Sequence, residues 1–470
     1  MKVEEKSITY IPASERYGKP SKLFFTWFGS NMQLTPMVTG ALGIVLGLSL
    51  PWTLVAIVLG NLIGGVFMAT HSAQGPRLGI PQMIQSRAQF GVIGAIFPLL
   101  LVILMYTGFF GMTSVLGGEA LSELGVGNTN VSIIVINVVM LVLAIYGYRL
   151  IHRVEKYLSW IFFAFYLVLT VVLLSWQFPA GAFAFGPFNG PVFMLCVGIY
   201  ASWLLAFAPY VADYSRYLPA DTKPSSTFWA TYLGSNAAVI WMMCLGAFLA
   251  VLIPGFDQNP AYNLTTVLGP QFAPLVYLII VLGIIGANVF NLYGAFLAIV
   301  TTLEPFTKVS GNLATKVAVT SIVCVAGTLL GIFAQGDFLA NFSNFLGILL
   351  NFMIPWTAIN LVDFYFIKKG RYDVAEMFKV NGKYRAVNWS TIAIFVVSVL
   401  AQIPFISASY FEGPVARELG GVDLAWVVGI IVPAALYFLA NRKDIVPGRL
   451  SDAPSIDAEA EAEIELQEAK

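Results

Sequence analysis

Apolar runs of membrane-spanning length recur along this chain from residue 23 to residue 440, and they constrain its fold more than any other feature. About 20 consecutive apolar residues are needed to cross the hydrocarbon core of a bilayer as a helix. Charged residues are only 11% of the 470, whereas a soluble domain would expose far more charge. The sequence therefore predicts an all-α protein embedded in a lipid bilayer.

The apolar runs divide into twelve predicted transmembrane spans. Their approximate bounds are 23–49, 51–73, 92–118, 131–148, 157–177, 190–213, 227–253, 275–302, 316–334, 338–367, 388–408 and 424–440. If the N-terminus is cytoplasmic, every one of the 25 Lys and Arg residues except Arg417 lies on the cytoplasmic side. The positive-inside rule thus predicts a multi-pass protein of the cell membrane with both termini in the cytoplasm.

Two of these spans carry a proline well inside the apolar run. Span 1 contains GSNMQLTPMVTG (29–40) with Pro36, and span 6 contains GIYASWLLAFAPYVADYSRYL (198–218) with Pro209. Proline breaks the backbone hydrogen bonding of a helix, and an interrupted helix survives in a membrane only where it is buried or lines a cavity. Polar contacts between helices would explain span 1 alone equally well. Interrupted spans at matching positions, however, predict a substrate site.

Amides and aromatic rings in the spans predict what kind of substrate would bind. An amide offers both a donor and an acceptor, and an aromatic face can stack on a flat ring. The candidate side chains are Tyr106, Phe109 and Thr113 in span 3, Trp203 and Phe207 in span 6, and Asn288 and Asn291 in span 8. Ordinary packing is the alternative for each aromatic residue. Because the spans hold almost no charge, these residues predict a neutral, flat, hydrogen-bonding heterocycle.

Motifs of enzymes and of metal sites are absent from the sequence. There is no HExxH, Walker or GxSxG pattern, and Cys196, Cys244 and Cys324 each lie alone in an apolar run. We therefore predict no enzymatic activity, no catalytic residue, no bound metal or cofactor, and no nucleic-acid partner.

Four segments carry a resemblance to a known family. They read GPRLGIPQMIQSRAQFG (75–91), FAPYVADYSRYLP (207–219), ANVFNLYG (287–294) and NLVDFYFIKKGRYDV (360–374). The first is similar to the signature loop of the nucleobase:cation symporter-1 family, which carries cytosine, purines, uracil, allantoin, hydantoins and some vitamins. The purine–cytosine permease branch looks nearest, because it shares the asparagine spacing of span 8.

The resemblance implies a LeuT-type fold, in which two inverted repeats of five helices are followed by two extra helices. Spans 1 and 6 would then be the unwound helices beside the site. The implied division is a cytoplasmic N-terminus (1–22), repeat 1 (23–177), repeat 2 (190–367), the two extra spans (388–440) and an acidic cytoplasmic tail (441–470) predicted to be disordered.

The resemblance also implies positions for the substrate-binding residues. Met32 or Gln33 would lie at the pocket in span 1, Phe109 and Thr113 in span 3, and Asn288 in span 8. In span 6, Leu204 and Ala206 are candidate pocket residues, and the position of the family's aromatic falls on Leu204, so Trp203 or Phe207 would have to supply the ring. This departure leaves the stacking partner open.

Residues in and near the spans bear on the coupling ion. Sodium-coupled members of the family resemble one another in having Ser or Thr hydroxyls just before the span 8 asparagine, where this chain has Gly286 and Ala287. The sequence therefore favours a coupled proton over Na⁺. Glu119 and Asp213 are the candidate proton carriers, and an interfacial role without any coupling is the alternative for both.

Together these observations predict a secondary-active importer of a neutral nucleobase such as cytosine or a purine. The nearest alternative is the same fold carrying allantoin, a hydantoin, uracil or a vitamin, and an uncoupled facilitator is a further one. The predicted partners are the heterocycle, the coupling cation and the lipid bilayer.

Overall fold

The computed structural model describes residues 10–146, 148–307 and 313–450. Within these ranges the chain forms α-helices and one short antiparallel hairpin, β1 (Ser407–Ala408) and β2 (Phe411–Glu412). The first nine helices are α1 (Ser21–Ser30), α2 (Leu34–Val45), α3 (Leu50–Ser72), α4 (Gly75–Leu78), α5 (Gln82–Phe90), α6 (Ile96–Glu123), α7 (Thr129–Tyr146), α8 (Tyr148–Leu174) and α9 (Gly190–Leu205). The others are α10 (Val211–Ser215), α11 (Pro224–Leu252), α12 (Pro260–Leu268), α13 (Ala273–Leu303), α14 (Leu313–Ala334), α15 (Phe338–Val362), α16 (Trp389–Gln402), α17 (Pro414–Glu418) and α18 (Ala425–Asn441).

Helical stretches that can cross a membrane dominate the described part of the chain. Seven of them are long and apolar enough by length and composition, with mean hydropathy between 1.5 and 2.3. One of the seven, 313–367, contains both α14 and α15. Four further apolar helices are shorter, and they include α2 and α9. Many of their apolar side chains point outward, as expected for surfaces that face lipid.

The long helices pack in two main groups. In one group α6 lies against α7, α13 and α14. In the other α3 and α11 pack with α1, α2 and α9. A third set, α15 with α16 and α18, packs beside them. The interrupted helices belong to the second group. Their breaks lie where this group meets α6 and α13, because Trp203 contacts Phe109 of α6 and Gln33 lies beside Gly283 of α13.

Both predicted interruptions are present. The first apolar run is divided into α1 and α2 by residues 31–33, and the sixth is divided into α9 and α10 by residues 206–210. Pro209 lies inside the second break, as predicted. Pro36 instead lies in the first turn of α2, just after the first break, because a helix tolerates proline where its backbone N–H would have no partner.

Glycines bring α2 and α11 into backbone contact. A Cβ atom at Gly40 would overlap the carbonyl oxygen of Met243, and one at Gly246 would overlap that of Met37. The contact is reciprocal, since each glycine faces the main chain of the other helix. The first interrupted helix is therefore packed on α11 as closely as two helices can be.

The C-terminal segment is ordered beyond α18. The backbone N–H of Val446 donates to Ile367 at 2.9 Å, and Arg77 Nη1 donates to the carbonyl oxygen of Leu450 at 2.7 Å. The predicted acidic tail, 441–470, includes the described residues 441–450, and two of these, Val446 and Leu450, contact the rest of the chain. Residues 451–470 and 1–9 lie outside the described residues.

Candidate functional site

The first interruption is a polar segment whose side chains bond to the ends of the broken helix. Asn31 is fully buried, and its amide nitrogen donates to the carbonyl oxygen of Trp27 at 2.8 Å. That carbonyl belongs to the last turn of α1, where helical partners run out. The amide oxygen of Asn31 accepts the indole N–H of Trp203 at 2.7 Å. Asn31 thus joins the first interrupted helix to the second.

Two oxygens at the first interruption have no hydrogen-bonding partner. Gln33 is extended, with φ −149° and ψ 171°, and its amide nitrogen lies 3.4 Å from the Ser30 carbonyl oxygen. The side-chain oxygens of Gln33 and Thr35 are buried without a partner. Buried polar atoms are normally satisfied, so unpaired ones at the open N-terminus of α2 mark a place where a ligand can bond. Met32, predicted beside them, is buried.

The second interruption is aromatic. Phe207 lies 5.6 Å from Trp27, 5.5 Å from Tyr210 and 6.5 Å from Trp203, measured between ring centroids. The backbone of residues 206–210 forms tight turns, and Pro209 has no backbone N–H to donate. Leu204 and Ala206 are buried and carry no ring, whereas Trp203 lies in the last turn of α9 and Phe207 lies in the break. The second break therefore offers ring surfaces rather than amides.

The rings of α6 meet those of the second interruption directly. Phe109 and Trp203 lie 6.0 Å apart and edge to face, at 88°. Tyr106, one turn nearer the N-terminus of α6, lies 5.3 Å from Tyr210 between ring centroids. Parallel rings around a flat ligand need more space than this, so Phe109 and Trp203 do not form an open slot in this structure.

Asn288 forms the centre of a hydrogen-bonded cluster between α6 and α13. Its side-chain oxygen lies 2.7 Å from the Thr113 hydroxyl and accepts from the Asn291 amide at 2.9 Å. Its nitrogen donates to the Phe110 carbonyl at 3.0 Å and to the Ser114 hydroxyl at 3.4 Å. The donors and acceptors of the Asn288 amide are thus all engaged within the protein. Asn291 is half-buried, and its amide nitrogen is the group that it uses towards Asn288.

The cluster continues into two further helices, which sequence reasoning missed. The Ser114 hydroxyl lies 2.7 Å from Asn137 Oδ1, and Asn137 Nδ2 donates to the Thr328 hydroxyl at 2.9 Å. These contacts join α6, α7, α13 and α14. Isolated polar residues in spans 4 and 9 were the only signal in the sequence, and such residues are common in helix bundles.

On α13, unfilled space lies one turn from the residue that contacts the first interruption. A Cβ at Gly283 would lie 3.6 Å from Cβ of Gln33, whereas a Cβ at Gly286, one turn further, would meet no atom within 4 Å. Because positions three apart share a helix face, this space lies on the same face of α13 as the contact with Gln33. Neither Gly286 nor Ala287 adds a hydroxyl to it.

Two cavities of different size lie on opposite sides of the breaks. The larger, about 250 Å³, is bounded by α2, α9, α15 and the 406–410 segment. Burial raises the pKa of Asp423 at its rim, and hydrogen bonds from the backbone N–H groups of Ser407 and Ala425 oppose that rise. The smaller, about 20 Å³, is bounded by Tyr106, Pro209, Asp213 and Thr301 among others. It has room for about one water molecule.

The two candidate proton carriers lie on opposite sides of the breaks. Asp213 is in α10, and its Oδ1 accepts the backbone N–H of Gln82 at 2.7 Å. Glu119 is near the end of α6, and its Oε2 is buried without a hydrogen-bonding partner. Thr113 and Glu119 are separated by about 9 Å of helix rise, so Glu119 is not part of the cluster around Asn288.

Buried amides form a second network beyond Asp213. Gln74 donates to Asn360 at 2.9 Å, and Gln89 donates to the buried carboxylate of Asp363 at 2.7 Å. Asp363 also accepts from the hydroxyls of Tyr372, at 2.7 Å, and Tyr437, at 3.0 Å. The sequence placed Asp363 at the end of a span, but its neutral partners come from α5, from the segment after α15 and from α18.

Comparisons with known proteins agree with this architecture. Residues 10–429 match the family described as permeases for cytosine/purines, uracil, thiamine and allantoin. YxlA of Bacillus subtilis (strain 168), provisionally named a purine-cytosine permease, is 47% identical over 442 residues, which cover 94% of this chain and 96% of YxlA. The purine-cytosine permease fcyB of Emericella nidulans is 25% identical, covering 95% of this chain and 89% of fcyB.

A solved structure shares the fold. Mhp1, a nucleobase-cation-symport-1 family transporter in a closed conformation with bromovinylhydantoin bound, superposes with a TM-score of 0.76. The match covers 98% of this chain and 99% of Mhp1, at 19% sequence identity.

Proposed function

This chain belongs to the family of permeases for cytosine/purines, uracil, thiamine and allantoin, and we propose that it is a secondary-active importer of a neutral nucleobase such as cytosine or a purine. As a permease it is an integral membrane protein and a transporter, not an enzyme. The substrate, the coupling ion and the direction of transport are the parts that we propose.

The contrast between the two interruptions is the observation that carries this proposal. At the first, the side-chain oxygens of Gln33 and Thr35 are buried and unpaired. At the second, Phe207 lies among aromatic rings. A nucleobase has the complementary surfaces, since its edge carries N–H donors and its face stacks on aromatic rings. The space beside Gly286 lies one turn along α13 from Gly283, which contacts Gln33 of the first break, and this space would admit part of the ligand.

The remaining predicted site residues take supporting places in this scheme. Asn288 would hold Thr113 and Asn291 in place, and Asn291 would meet the substrate. Phe109 and Trp203 touch edge to face, so the Phe109 ring would turn when a heterocycle enters. Met32, Leu204 and Ala206 would close the pocket with apolar surface, and Tyr106 would close it towards Asp213.

The architecture that we propose has twelve transmembrane spans arranged as two inverted five-helix repeats of the LeuT type, followed by two spans. The seven long stretches support this count, because one of them holds two helices and the four shorter apolar helices complete the set. The distribution of Lys and Arg supports cytoplasmic termini and a place in the cell membrane. The fold shared with Mhp1 supports the repeats.

Transport would follow alternating access around the two interruptions. The larger cavity lies on the proposed external side and the smaller on the cytoplasmic side. This asymmetry supports a conformation that is closed towards the cytoplasm. Release inward would require the region around Asp213, Pro209 and Tyr106 to open.

We propose a proton as the coupling ion, with Asp213 as the leading carrier and Glu119 as the second candidate. Asp213 lines the small cavity beside the second interruption, where a proton and a water molecule would be accommodated. No hydroxyl is present at 286 or 287 to help bind Na⁺, a hard cation that prefers several oxygen ligands.

Uptake of radiolabelled cytosine into cells that express the protein tests the substrate. Unlabelled adenine, hypoxanthine, uracil, allantoin and a hydantoin serve as competitors. We expect cytosine or a purine to be accumulated above equilibrium and to compete best. Strongest competition by allantoin or a hydantoin would replace the nucleobase, and uptake that never exceeds equilibrium would indicate a facilitator.

The same assay with and without sodium, and with a protonophore, tests the coupling ion. We expect uptake to be independent of sodium and to collapse with the protonophore. Asp213→Asn should then abolish accumulation while exchange of substrate across the membrane persists, and Glu119→Gln should leave accumulation unchanged. Sodium-dependent uptake, or accumulation that survives in Asp213→Asn, would contradict this part of the proposal.

A further inference from the structure

The hydrogen bond between Asn31 and Trp203 links the two interruptions at the point where both helices are broken. The indole N–H donates to Asn31 Oδ1 at 2.7 Å, and both residues are buried. The other half of the Asn31 amide is occupied as well, since its nitrogen donates to the Trp27 carbonyl at 2.8 Å. One side chain therefore closes the end of α1 and orients a ring on α9.

The same face of α9 also bonds to α2. Tyr200, one turn before Trp203, accepts the backbone N–H of Gly43 at 3.0 Å and donates to the Gly40 carbonyl at 3.2 Å. Trp203 thus bonds to Asn31, the residue after α1, and Tyr200 bonds to α2. They fix the spacing between the end of α1 and the start of α2, where Gln33 and Thr35 lie.

The position of the indole matters because of what surrounds it. Its ring meets Phe109 edge to face at 6.0 Å and Phe207 at 6.5 Å. If the indole turned about its side-chain bonds, both contacts and the face that it presents would change. An indole N–H bonded to a buried amide cannot turn without leaving both groups unpaired, and such groups are costly in a water-free interior.

We propose that Asn31 is a positioning residue for substrate recognition, which acts by holding the indole of Trp203 in place rather than by touching the substrate. This inference rests on the proposed function, because it assigns Trp203 to the substrate site. The inference adds Asn31 to the residues that determine recognition, although its side chain bonds to Trp27 and Trp203 and not to the substrate.

A double-mutant cycle for uptake tests the proposal. Asn31→Ala removes the acceptor, and Trp203→Phe keeps an aromatic ring while removing the N–H. We expect each variant to raise KM about threefold to tenfold, the range of one neutral hydrogen bond, with Vmax per molecule in the membrane unchanged. The KM of the double variant should exceed that of the more impaired single variant by no more than about twofold. Effects that multiply would overturn the proposal.

A second measurement does not depend on transport. In protein labelled with ¹⁵N-tryptophan, the indole resonance that is missing in Trp203→Phe identifies Trp203. We expect this resonance to shift in Asn31→Ala and to stay in place in Ser202→Ala, whose hydroxyl bonds only to Ile199 of its own helix at 2.6 Å. An unmoved resonance would overturn the bond.

The two readouts also separate this inference from the proposed function. A moved resonance with an unchanged KM would reduce Asn31 to a structural contact and overturn the positioning role. If the wild-type protein takes up none of the heterocycles, the proposed function fails, while the resonance still decides whether Asn31 holds Trp203.

Discussion

The first interruption presents the side-chain oxygens of Gln33 and Thr35, whereas the second is built from Ala, Phe, Pro and Tyr and presents rings. The backbones differ in the same way. Gln33 is extended, while residues 206–210 form successive tight turns. A break therefore does not have one chemistry. One break can read the hydrogen-bonding edge of a ligand while the other contacts its face, and substitutions at the two should have different consequences.

The largest effect is expected from Asn288→Ala, which removes the support of the polar side. It removes the acceptor of the Asn291 amide and the bonds of Asn288 to Thr113, Ser114 and the Phe110 carbonyl, at a cost of about 2–4 kcal/mol in stability. We expect uptake to fall at least 100-fold, and a thermal unfolding assay on purified protein should show the loss of stability. Asn263→Ala, a half-buried asparagine in α12, is the matched control. Near-normal uptake would remove Asn288 from the site.

Gln33→Ala removes the unpaired oxygen of the first interruption. We expect KM to rise about 10-fold to 100-fold, because a donor on the substrate loses its buried partner. The ranking of competing heterocycles should change, since they differ in where their N–H groups lie. Thr26→Ala, on the exposed part of α1, should leave KM unaltered. An unchanged ranking would mean that Gln33 does not read the substrate edge.

Phe207→Ala tests the aromatic side. Stacking contributes about 0.5–1.5 kcal/mol, so KM should rise by up to about 10-fold. All ring substrates should be affected to a similar degree, because every one of them has a face to stack. The exposed Phe183 provides a control substitution, Phe183→Ala, that should have no effect. A selective loss of one substrate would erase the distinction between the two breaks.

The smallest effects concern the two prolines. Pro209→Ala restores an N–H inside the second break and lets helical bonds extend across it, so we expect Vmax to fall about twofold to fivefold. Pro36→Ala restores an N–H in the first turn of α2, where no helical partner exists, so uptake should change by less than about twofold. Equal effects in transport assays would show that the prolines act alike in spite of their positions.

Much of the fold could be predicted from the sequence. Hydropathy located the spans, because the demand for satisfied backbone groups in lipid leaves little alternative to apolar helices. Pro209 located the second break correctly. Pro36 placed the first break slightly late, since proline marks a constraint on the helix but not the residue at which the helix ends. The short helices α4, α5 and α12 lie in connections, where hydropathy gives no signal.

The site itself could be predicted less completely. The sequence identified Asn288 as an amide inside a span. Rotamers and neighbours, however, decide whether an amide faces a ligand or its own protein, and most hydrogen bonds of Asn288 go to α6. Asn31 shows the same limit. It is one of several polar residues in the segment 29–40 of span 1, and its bond to Trp203 spans 172 positions of the sequence. Pairings over that distance depend on packing that no local pattern encodes.

The reciprocal contact of Gly40 and Gly246 has a consequence for anyone who engineers this transporter. Since each glycine rests on the main chain of the opposite helix, even a methyl group at either position would act as a wedge. A wedge at 40 or 246 would separate α2 from α11 while leaving the polar and aromatic side chains of the breaks untouched. Substitutions at these two glycines could therefore alter the geometry of the first break without changing the side chains that line it.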